Sequence, residues 1–196
     1  MDLEVELDRF LKIKTNGRDD SISNHINYPY EATPYITLQA LANSGYITKC
    51  DKVIDYGCGK GRVAFYLAYS NKCNVIGVEY DPRLYNSANK NKETAISGFR
   101  VNFVNENASL FEIPDDVTVL YFFNPFSKDV LNDVINNLKK SKKRNAREVK
   151  LIFYYPSKEY MEYIKNVEEL IHLEDISLID SFKEYSEREV LTIYKM

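Results

Sequence analysis

The sequence predicts an α/β protein built on a doubly wound, seven-stranded, mainly parallel sheet. From about residue 51 onward, apolar strand-like runs alternate with helix-like segments of roughly 10–15 residues, an order typical of parallel sheets with helices on both faces. Runs such as LIFYY (151–155) are apolar throughout, which suits strands buried on both sides. The last two strand-like runs have no helix between them, so we expect the last strand to pair antiparallel at one end of the sheet.

About 50 residues precede this alternation and form a separate N-terminal part. The run LEVELDRFLKIK has apolar residues at helical spacing, which predicts a short amphipathic helix: Leu3, Leu7, Phe10 and Leu11. A second helix is predicted between Pro34, which suits a helix start, and Gly45, which suits a helix end. We therefore expect an N-terminal helical extension or lid over residues 1–50 and a main domain over residues 51–196.

The main domain contains seven predicted strands and four predicted helices. The strands are expected at residues 52–57, 74–80, 100–107, 117–124, 149–156, 172–180 and 188–196. The helices are expected at residues 62–70, 82–96, 127–143 and 157–170. Only a short polar turn is predicted between the last two strands.

Composition excludes several classes of protein. The 196 residues suit one well-buried domain, and no run of about 18 apolar residues suggests a membrane span. The acidic amino terminus does not resemble a secretory signal, so we expect a cytoplasmic protein, either a monomer or a homodimer. Three cysteines without CxxC spacing and two histidines favour neither a disulfide framework nor a metal site. A net charge of −3 does not favour a nucleic-acid partner.

The turn DYGCGKGR after the first strand carries the main functional signal. In such sheets ligands bind at the carboxyl ends of the strands, where glycines let the backbone turn sharply and approach a ligand. Arg62 replaces the third glycine of a dinucleotide fingerprint, and Asp55 would repel a pyrophosphate, so a nicotinamide-dependent oxidoreductase is disfavoured. Asp55 suits a ligand with an ammonium group, and Glu79 at the end of the second strand can accept both ribose hydroxyls. S-adenosylmethionine has both features and no phosphate.

Three segments together resemble the class I S-adenosylmethionine-dependent methyltransferases: VIDYGCGKGR, VIGVEYDP and YFFNPF. The resemblance runs from about Val53 to the C-terminus. It implies a Rossmann-like methyltransferase fold, S-adenosyl-L-methionine as the cofactor and no metal. The terminal pair of strands is similar to the sixth and seventh strands of that family.

The resemblance also implies roles for individual residues in binding the cofactor. Asp55 and the backbone of Gly57, Cys58 and Gly59 would hold the methionine moiety. Glu79 would bind the ribose, Tyr80 would lie against the adenine, and Asn124 would contact the cofactor at the edge of the methionine pocket. Asn107 and Ala108 stand where the family often has an Asp-Ala pair that reads the adenine amino group; an amide oxygen can accept the same hydrogen bond without charge.

The methyl acceptor is predicted to bind at Asn124, Pro125 and Phe126, at the end of the fourth strand. This triplet is similar to the N-P-P-[YF] signature of methyltransferases that modify planar NH2 groups, but it has a single proline. An Asn oxygen and a carbonyl without a ladder partner could accept hydrogen bonds from an acceptor NH2, while Phe126 could stack on it. The alternative interpretation is that Asn124 only ends the strand or caps the next helix.

Several alternatives remain open at this point. The acceptor could be a protein lysine or a small metabolite instead of an adenine, cytosine or glutamine nitrogen, and the chain could be a non-catalytic module that binds S-adenosylmethionine or S-adenosylhomocysteine. Tyr28, Tyr30 and Tyr35 could line the acceptor site or simply pack on a helix. The basic run at residues 139–147 could contact nucleic acid, but its place at a helix end favours an electrostatic capping role.

Overall fold

The computed structural model describes residues 2–17, 30–182 and 186–196. Seven strands form one sheet in the order β3-β2-β1-β4-β5-β7-β6. The strands are β1 Lys52–Tyr56, β2 Asn74–Glu79, β3 Val101–Asn105, β4 Val119–Phe122, β5 Lys150–Tyr154, β6 Ile171–Ser177 and β7 Val190–Lys195. The helices are α1 Leu3–Leu11, α2 Tyr35–Asn43, α3 Arg62–Ser70, α4 Pro82–Thr94, α5 Lys128–Arg144 and α6 Lys158–Lys165.

The strand pairing confirms the predicted fold class. Strands β3, β2, β1, β4 and β5 are parallel to one another, and β7 pairs antiparallel with both β5 and β6. The connection from β6 to β7 is longer than predicted. It covers residues 178–189 and includes a short 3₁₀ helix at Ile179–Ser181, because β6 ends earlier and β7 begins later than their predicted ranges.

Two apolar clusters cover the two faces of the sheet. One joins the strands to α1, α2 and α3 through residues such as Leu11, Leu38 and Phe65. The other joins them to α5 and α6 through residues such as Leu131 and Tyr160. Every residue of β4 is buried, which agrees with a central strand covered on both sides. In the described part of the chain, no helix combines the length and apolar character that a membrane span requires.

A buried charged network attaches the N-terminal segment to the first residue of α3. The Arg62 guanidinium donates to Thr15 Oγ1 at 2.7 Å, pairs with Glu4 and lies 3.6 Å from Asp8 Oδ1. Asp8 in turn accepts hydrogen bonds from the Thr15 backbone N–H at 2.6 Å and the Tyr35 hydroxyl at 2.7 Å. Arg62 therefore connects α1, the loop that follows it and α2 to the end of the glycine turn.

Candidate functional site

The glycine turn follows β1 and lies against the end of β4. Gly57 has a φ of +68°, and its N–H donates to the Val78 carbonyl of β2 at 2.8 Å. A Cβ atom on Gly57 would lie 2.4 Å from the Pro125 Cβ atom, so only a glycine leaves room for this proline. Pro125 thus has a packing role: it rests on the turn and brings the end of β4 beside the end of β1.

The same turn is covered on its other side by Tyr30. A Cβ atom on Gly59 would lie 2.1 Å from Tyr30 Cε2, and the Tyr30 hydroxyl donates to the Thr15 carbonyl at 2.6 Å. Tyr30 lines the cleft above the turn, whereas Tyr35 is buried and bonded to Asp8. Tyr28 lies outside the described residues. Of the predicted lid tyrosines, the structure therefore brings Tyr30 to the site.

Replacement of Gly59 by alanine should destabilise the protein through contact with Tyr30. A left-handed alanine by itself costs about 1–2 kcal/mol. Gly45→Ala is a matched control, because Gly45 also has a positive φ of +83° but no atom within 4 Å of an added Cβ. We expect Gly59→Ala to lower the free energy of unfolding in urea clearly more than Gly45→Ala. Equal losses would show that Tyr30 moves aside freely.

Two buried carboxylates, Asp55 and Glu79, lie at the centre of the cleft. Asp55 is 2% exposed, and no described residue donates a hydrogen bond to its Oδ2 atom. Glu79 accepts from the Gly59 N–H at 2.8 Å and from the Asp81 N–H at 2.9 Å, so it also fixes the shape of the turn. Burial and the nearby Glu79 carboxylate raise the pKa of Asp55 well above its usual value, and burial raises the pKa of Glu79.

The chemistry of these residues fits S-adenosylmethionine. An unpartnered buried carboxylate oxygen is unfavourable unless a positively charged or hydrogen-bonding group reaches it. An ammonium group supplies both, whereas a phosphate would be repelled by Asp55 and Glu79. The basic side chain that lines the cleft, Arg62, is engaged with the N-terminal segment instead.

The residues predicted to contact adenine lie at one end of the cleft. Tyr80 is 58% exposed, so a face of its ring is open to a planar group. Ala108 is buried at the floor of the cleft, and Asn107 lines its edge. The Asn107 Oδ1 atom accepts a hydrogen bond from the Ser109 N–H at 3.0 Å, so only its second lone pair remains for an adenine amino group.

Asn124 lies at the opposite end of the cleft with both ends of its amide bonded to backbone. Its Nδ2 atom donates to the Tyr155 carbonyl, and its Oδ1 atom accepts from the Ser157 N–H at 3.0 Å. It has a φ of +40°, a left-handed conformation that asparagine tolerates better than most residues. The side chain therefore connects the end of β4 to the turn after β5. Its contact with an acceptor or with the cofactor stays a prediction.

The Phe126 ring is largely buried, and its stacking on an acceptor stays a prediction. The ring is 4% exposed and makes edge-to-face contacts with Tyr56 at 6.1 Å and Phe122 at 6.3 Å between centroids. It belongs to the apolar cluster under α5, and it also lines the cleft. Phe123, which lines the cleft and is half-buried, is the aromatic residue that sequence reasoning missed. Its position directly after the predicted core of β4 was the feature of the sequence that could have placed it in the cleft.

Cys58 is buried inside the turn and is not a reactive thiol. Burial, together with the nearby Asp55 and Glu79 carboxylates, raises the pKa of the Cys58 thiol well above its usual value. Its small side chain fits beside Gly77, where an added Cβ would lie 2.7 Å from the sulfur. Cys58 therefore contributes shape to the cofactor end of the cleft.

Residues of the N-terminal segment complete the cleft, and sequence reasoning did not assign them to it individually. Glu31, Ala32 and Thr33 line the wall next to Tyr30. The Thr33 hydroxyl and the Tyr121 hydroxyl of β4 share a hydrogen bond of 3.1 Å, which attaches this wall to the sheet. No local motif marks these residues, because only the tertiary contact places them at the site.

Comparison with known proteins gives one family match and many structural matches. Residues 53–145 match the family described as "Methyltransferase domain". No curated protein matches the sequence.

Three solved structures show the same fold. A TehB-like S-adenosylmethionine-dependent methyltransferase from Corynebacterium glutamicum is 17% identical with a TM-score of 0.58, covering 80% of this chain and 86% of that one. An RNA methyltransferase from Salinibacter ruber, in complex with S-adenosyl-L-homocysteine, is 18% identical with a TM-score of 0.58, covering 84% and 92%. A protein of the NADB-Rossmann superfamily from Streptococcus agalactiae is 17% identical with a TM-score of 0.60, covering 85% and 69%.

The family match begins at β1 and runs through α5, so it contains the glycine turn, both buried carboxylates and Asn124. The sheet order and the acidic cleft fit the same assignment. Residues 53–145 are therefore similar to a methyltransferase domain, and the cleft that they help to form suits S-adenosylmethionine.

Proposed function

We propose that this protein is an S-adenosylmethionine-dependent methyltransferase that transfers a methyl group to a nitrogen atom of a planar NH2 group. The observation that carries the proposal is the position of the Asn124 and Pro125 backbone carbonyls after β4. The ladder pairs of β4 end at Phe122, so the Asn124 and Pro125 carbonyls lie beyond the paired part of this strand. Both residues line the cleft. Two acceptors close together suit a group that has two N–H donors.

Residues of the cleft would hold the cofactor in a fixed orientation. Asp55 would accept from its ammonium group, Glu79 would hold the ribose hydroxyls, and Tyr80 and Ala108 would contact the adenine. Asn107 would accept from the adenine amino group through its second lone pair. When bound, the cofactor supplies an electrophilic methyl group on a positively charged sulfur.

The end of β4 would orient the acceptor. The Asn124 and Pro125 carbonyls would each accept one N–H, which turns the nitrogen lone pair toward the methyl carbon for in-line attack. Phe123 would lie beside the planar acceptor. The rigid attachment of Asn124 to the Tyr155 carbonyl and the Ser157 N–H would keep these two carbonyls in place.

The described residues of the N-terminal extension, 2–17 and 30–50, would act as a fixed wall of the site. Tyr30 and Thr33 line the cleft, and the Arg62 network attaches the described part of this segment to α3. This role corresponds to the extension or lid that the sequence suggested. It predicts that cofactor binding depends on the integrity of the network.

A labelling experiment tests the proposed acceptor. S-adenosylmethionine labelled in its methyl group is incubated with the protein and a cell extract, which is then separated into protein, nucleic acid and small molecules. Enzymatic digestion of the labelled fraction followed by mass spectrometry identifies the methylated atom. Label on an amide or base nitrogen supports the proposal. Label on a lysine, with a rate that rises steeply from about pH 7 to 9, would contradict it, because a lysine must first lose its proton.

Asn124→Ala should reduce methyl transfer by a large factor while cofactor affinity stays nearly unchanged. The loss is expected because the amide no longer fixes the end of β4 and its carbonyl. Asn137→Ala is the control, since the Asn137 amide also donates to a backbone carbonyl, that of Ser109 at 2.8 Å, but it does not line the cleft. Isothermal titration with S-adenosylhomocysteine measures the affinity. Activity within a few-fold of the unaltered protein would assign Asn124 a structural role only.

A further inference from the structure

A basic groove lies beside the cofactor cleft, between the end of α1, the residues that follow it, and α4. Its volume is about 990 Å³. Five basic side chains line it: Arg9, Lys12, Lys14, Lys60 and Lys90. Asp8 is the single carboxylate among its described lining residues. We call the surface lined by these five side chains the basic groove.

The positive charge of the basic groove is not neutralised within the described chain. No described carboxylate forms an ion pair with Arg9, Lys12, Lys14 or Lys90. Asp8 is 5% exposed, and its oxygens accept from Thr15 and Tyr35 inside the molecule. The groove is therefore a local concentration of positive charge on a chain whose net charge is −3.

The basic run at residues 139–147 differs in this respect. Arg144 pairs with Asp115 at 2.9 Å and Glu112 at 3.2 Å, and Lys139 pairs with Glu169 at 2.8 Å. Arg147 donates to the Val117 carbonyl at 2.6 Å. Much of this run is thus used to hold the end of α5 against its neighbours, as its place at a helix end suggested.

The basic groove and the cofactor cleft share a wall. Lys60 follows Gly59 in the glycine turn, and its Nζ atom lies 4.8 Å from the centroid of the Tyr30 ring. The same Nζ donates to the Asn16 carbonyl at 3.0 Å. Tyr30 lines the cleft, while Lys60 and Asn16 line the groove. A single extended ligand could therefore lie in the groove and reach the cleft.

We propose that the basic groove binds the sugar-phosphate backbone of a nucleic-acid strand. Five cations around one groove suit a chain of phosphates better than a single anion, because each phosphate can replace its counterions with one basic side chain. The inference concerns binding and holds whichever atom is methylated.

Fluorescence anisotropy of labelled single strands tests this proposal with the full chain. The probes are an RNA of roughly 20 nucleotides and the DNA of the same sequence, titrated at several salt concentrations. The groove variant carries Lys14→Glu and Lys90→Glu. The control variant carries Lys140→Glu and Lys143→Glu, two exposed lysines of α5 that also lack a described carboxylate partner, so both variants change the net charge equally.

We expect the groove variant to bind at least about tenfold more weakly than the control, with a salt slope smaller by about 1.4, or about 0.7 for each lost phosphate contact. Thermal melting and S-adenosylhomocysteine titration confirm that both variants are folded. A dissociation constant above about 100 µM for both strands at low salt would overturn the proposal, since even non-specific binding is commonly tighter. Equal weakening in both variants would overturn it too, because net charge alone would explain that result.

The two proposals fail in different ways. Loss of nucleic-acid binding leaves the labelling experiment unaffected, since that experiment identifies the methylated atom in any fraction. Conversely, a nucleic acid that binds in the groove but is not methylated would leave the groove established and the acceptor proposal unsupported.

Discussion

Asp55→Asn should weaken cofactor binding and stabilise the cofactor-free protein at the same time. The variant removes the charge that would hold the ammonium group, and hydrogen bonds to charged groups contribute about 1.5–3 kcal/mol, so we expect affinity to fall about 10- to 100-fold. It also removes a buried carboxylate that has one unpartnered oxygen. We expect the free energy of unfolding to rise by about 1–3 kcal/mol. Isothermal titration with S-adenosylhomocysteine and urea unfolding measure the two effects.

Asp116→Asn is the matched control for this prediction. It makes the same chemical change at a carboxylate that pairs with Lys52 at 2.9 Å on the surface. Surface ion pairs contribute about 0–1 kcal/mol, so neither affinity nor stability should change much. An Asp55→Asn variant that keeps full affinity would show that another group holds the ammonium, and one that is less stable would show that Asp55 has a native partner.

The contribution of Asp55 to the stability of the folded protein changes with pH in a definite direction. Its pKa in the folded protein is raised by burial and by Glu79, above the value of about 3.9 expected in an unfolded chain. Its contribution to stability is therefore fully present below the unfolded pKa and is lost as the pH rises through the folded pKa. The stability advantage of Asp55→Asn should grow over that range. Cofactor affinity of the unaltered protein should rise over the same range, while that of the variant should stay flatter.

Arg62→Met should destabilise the protein by about 3–5 kcal/mol, because it leaves the buried Asp8 carboxylate without its positive partner. It also removes hydrogen bonds to Thr15 Oγ1, Asn16 Oδ1 and the Thr33 carbonyl. Since these bonds hold the segment that positions Tyr30, cofactor affinity should fall as well. Urea unfolding gives the stability, and limited proteolysis followed by mass spectrometry shows whether the N-terminal segment is released first.

Arg144→Met provides the comparison for a surface arginine. Its side chain is 40% exposed and pairs with Asp115 and Glu112, so a loss of about 1 kcal/mol or less is expected. In a second test, Asp8→Asn added to Arg62→Met should recover part of the lost stability, since the buried charge is then removed. If Arg62→Met is no more harmful than Arg144→Met, the network does not anchor the N-terminal segment.

Sequence reasoning recovered the architecture because the signals are local. Alternation of apolar strands and amphipathic helices identified each element of the sheet, and Pro82 marked the start of α4 within the predicted range. The glycine turn and Glu79 were recognisable because the ligand site needs a tight turn after one strand and a carboxylate at the end of the neighbouring strand. Both lie at the same edge of the sheet. Errors were confined mainly to element ends, such as the β6–β7 connection, where tertiary contacts decide how far a strand pairs.

The sequence by itself determined the fold class, and it predicted the cofactor residues and the resemblance to methyltransferases, since each depends on residue types at short spacing. Only the tertiary structure decided that the Phe126 ring is buried, which backbone groups the Asn124 side chain bonds, and that the Tyr30 ring packs on Gly59. It also brought Lys14 and Lys90 together in the basic groove, although they are far apart in the chain. The physical reason is that side-chain direction and long-range proximity depend on how elements pack, which no local pattern specifies.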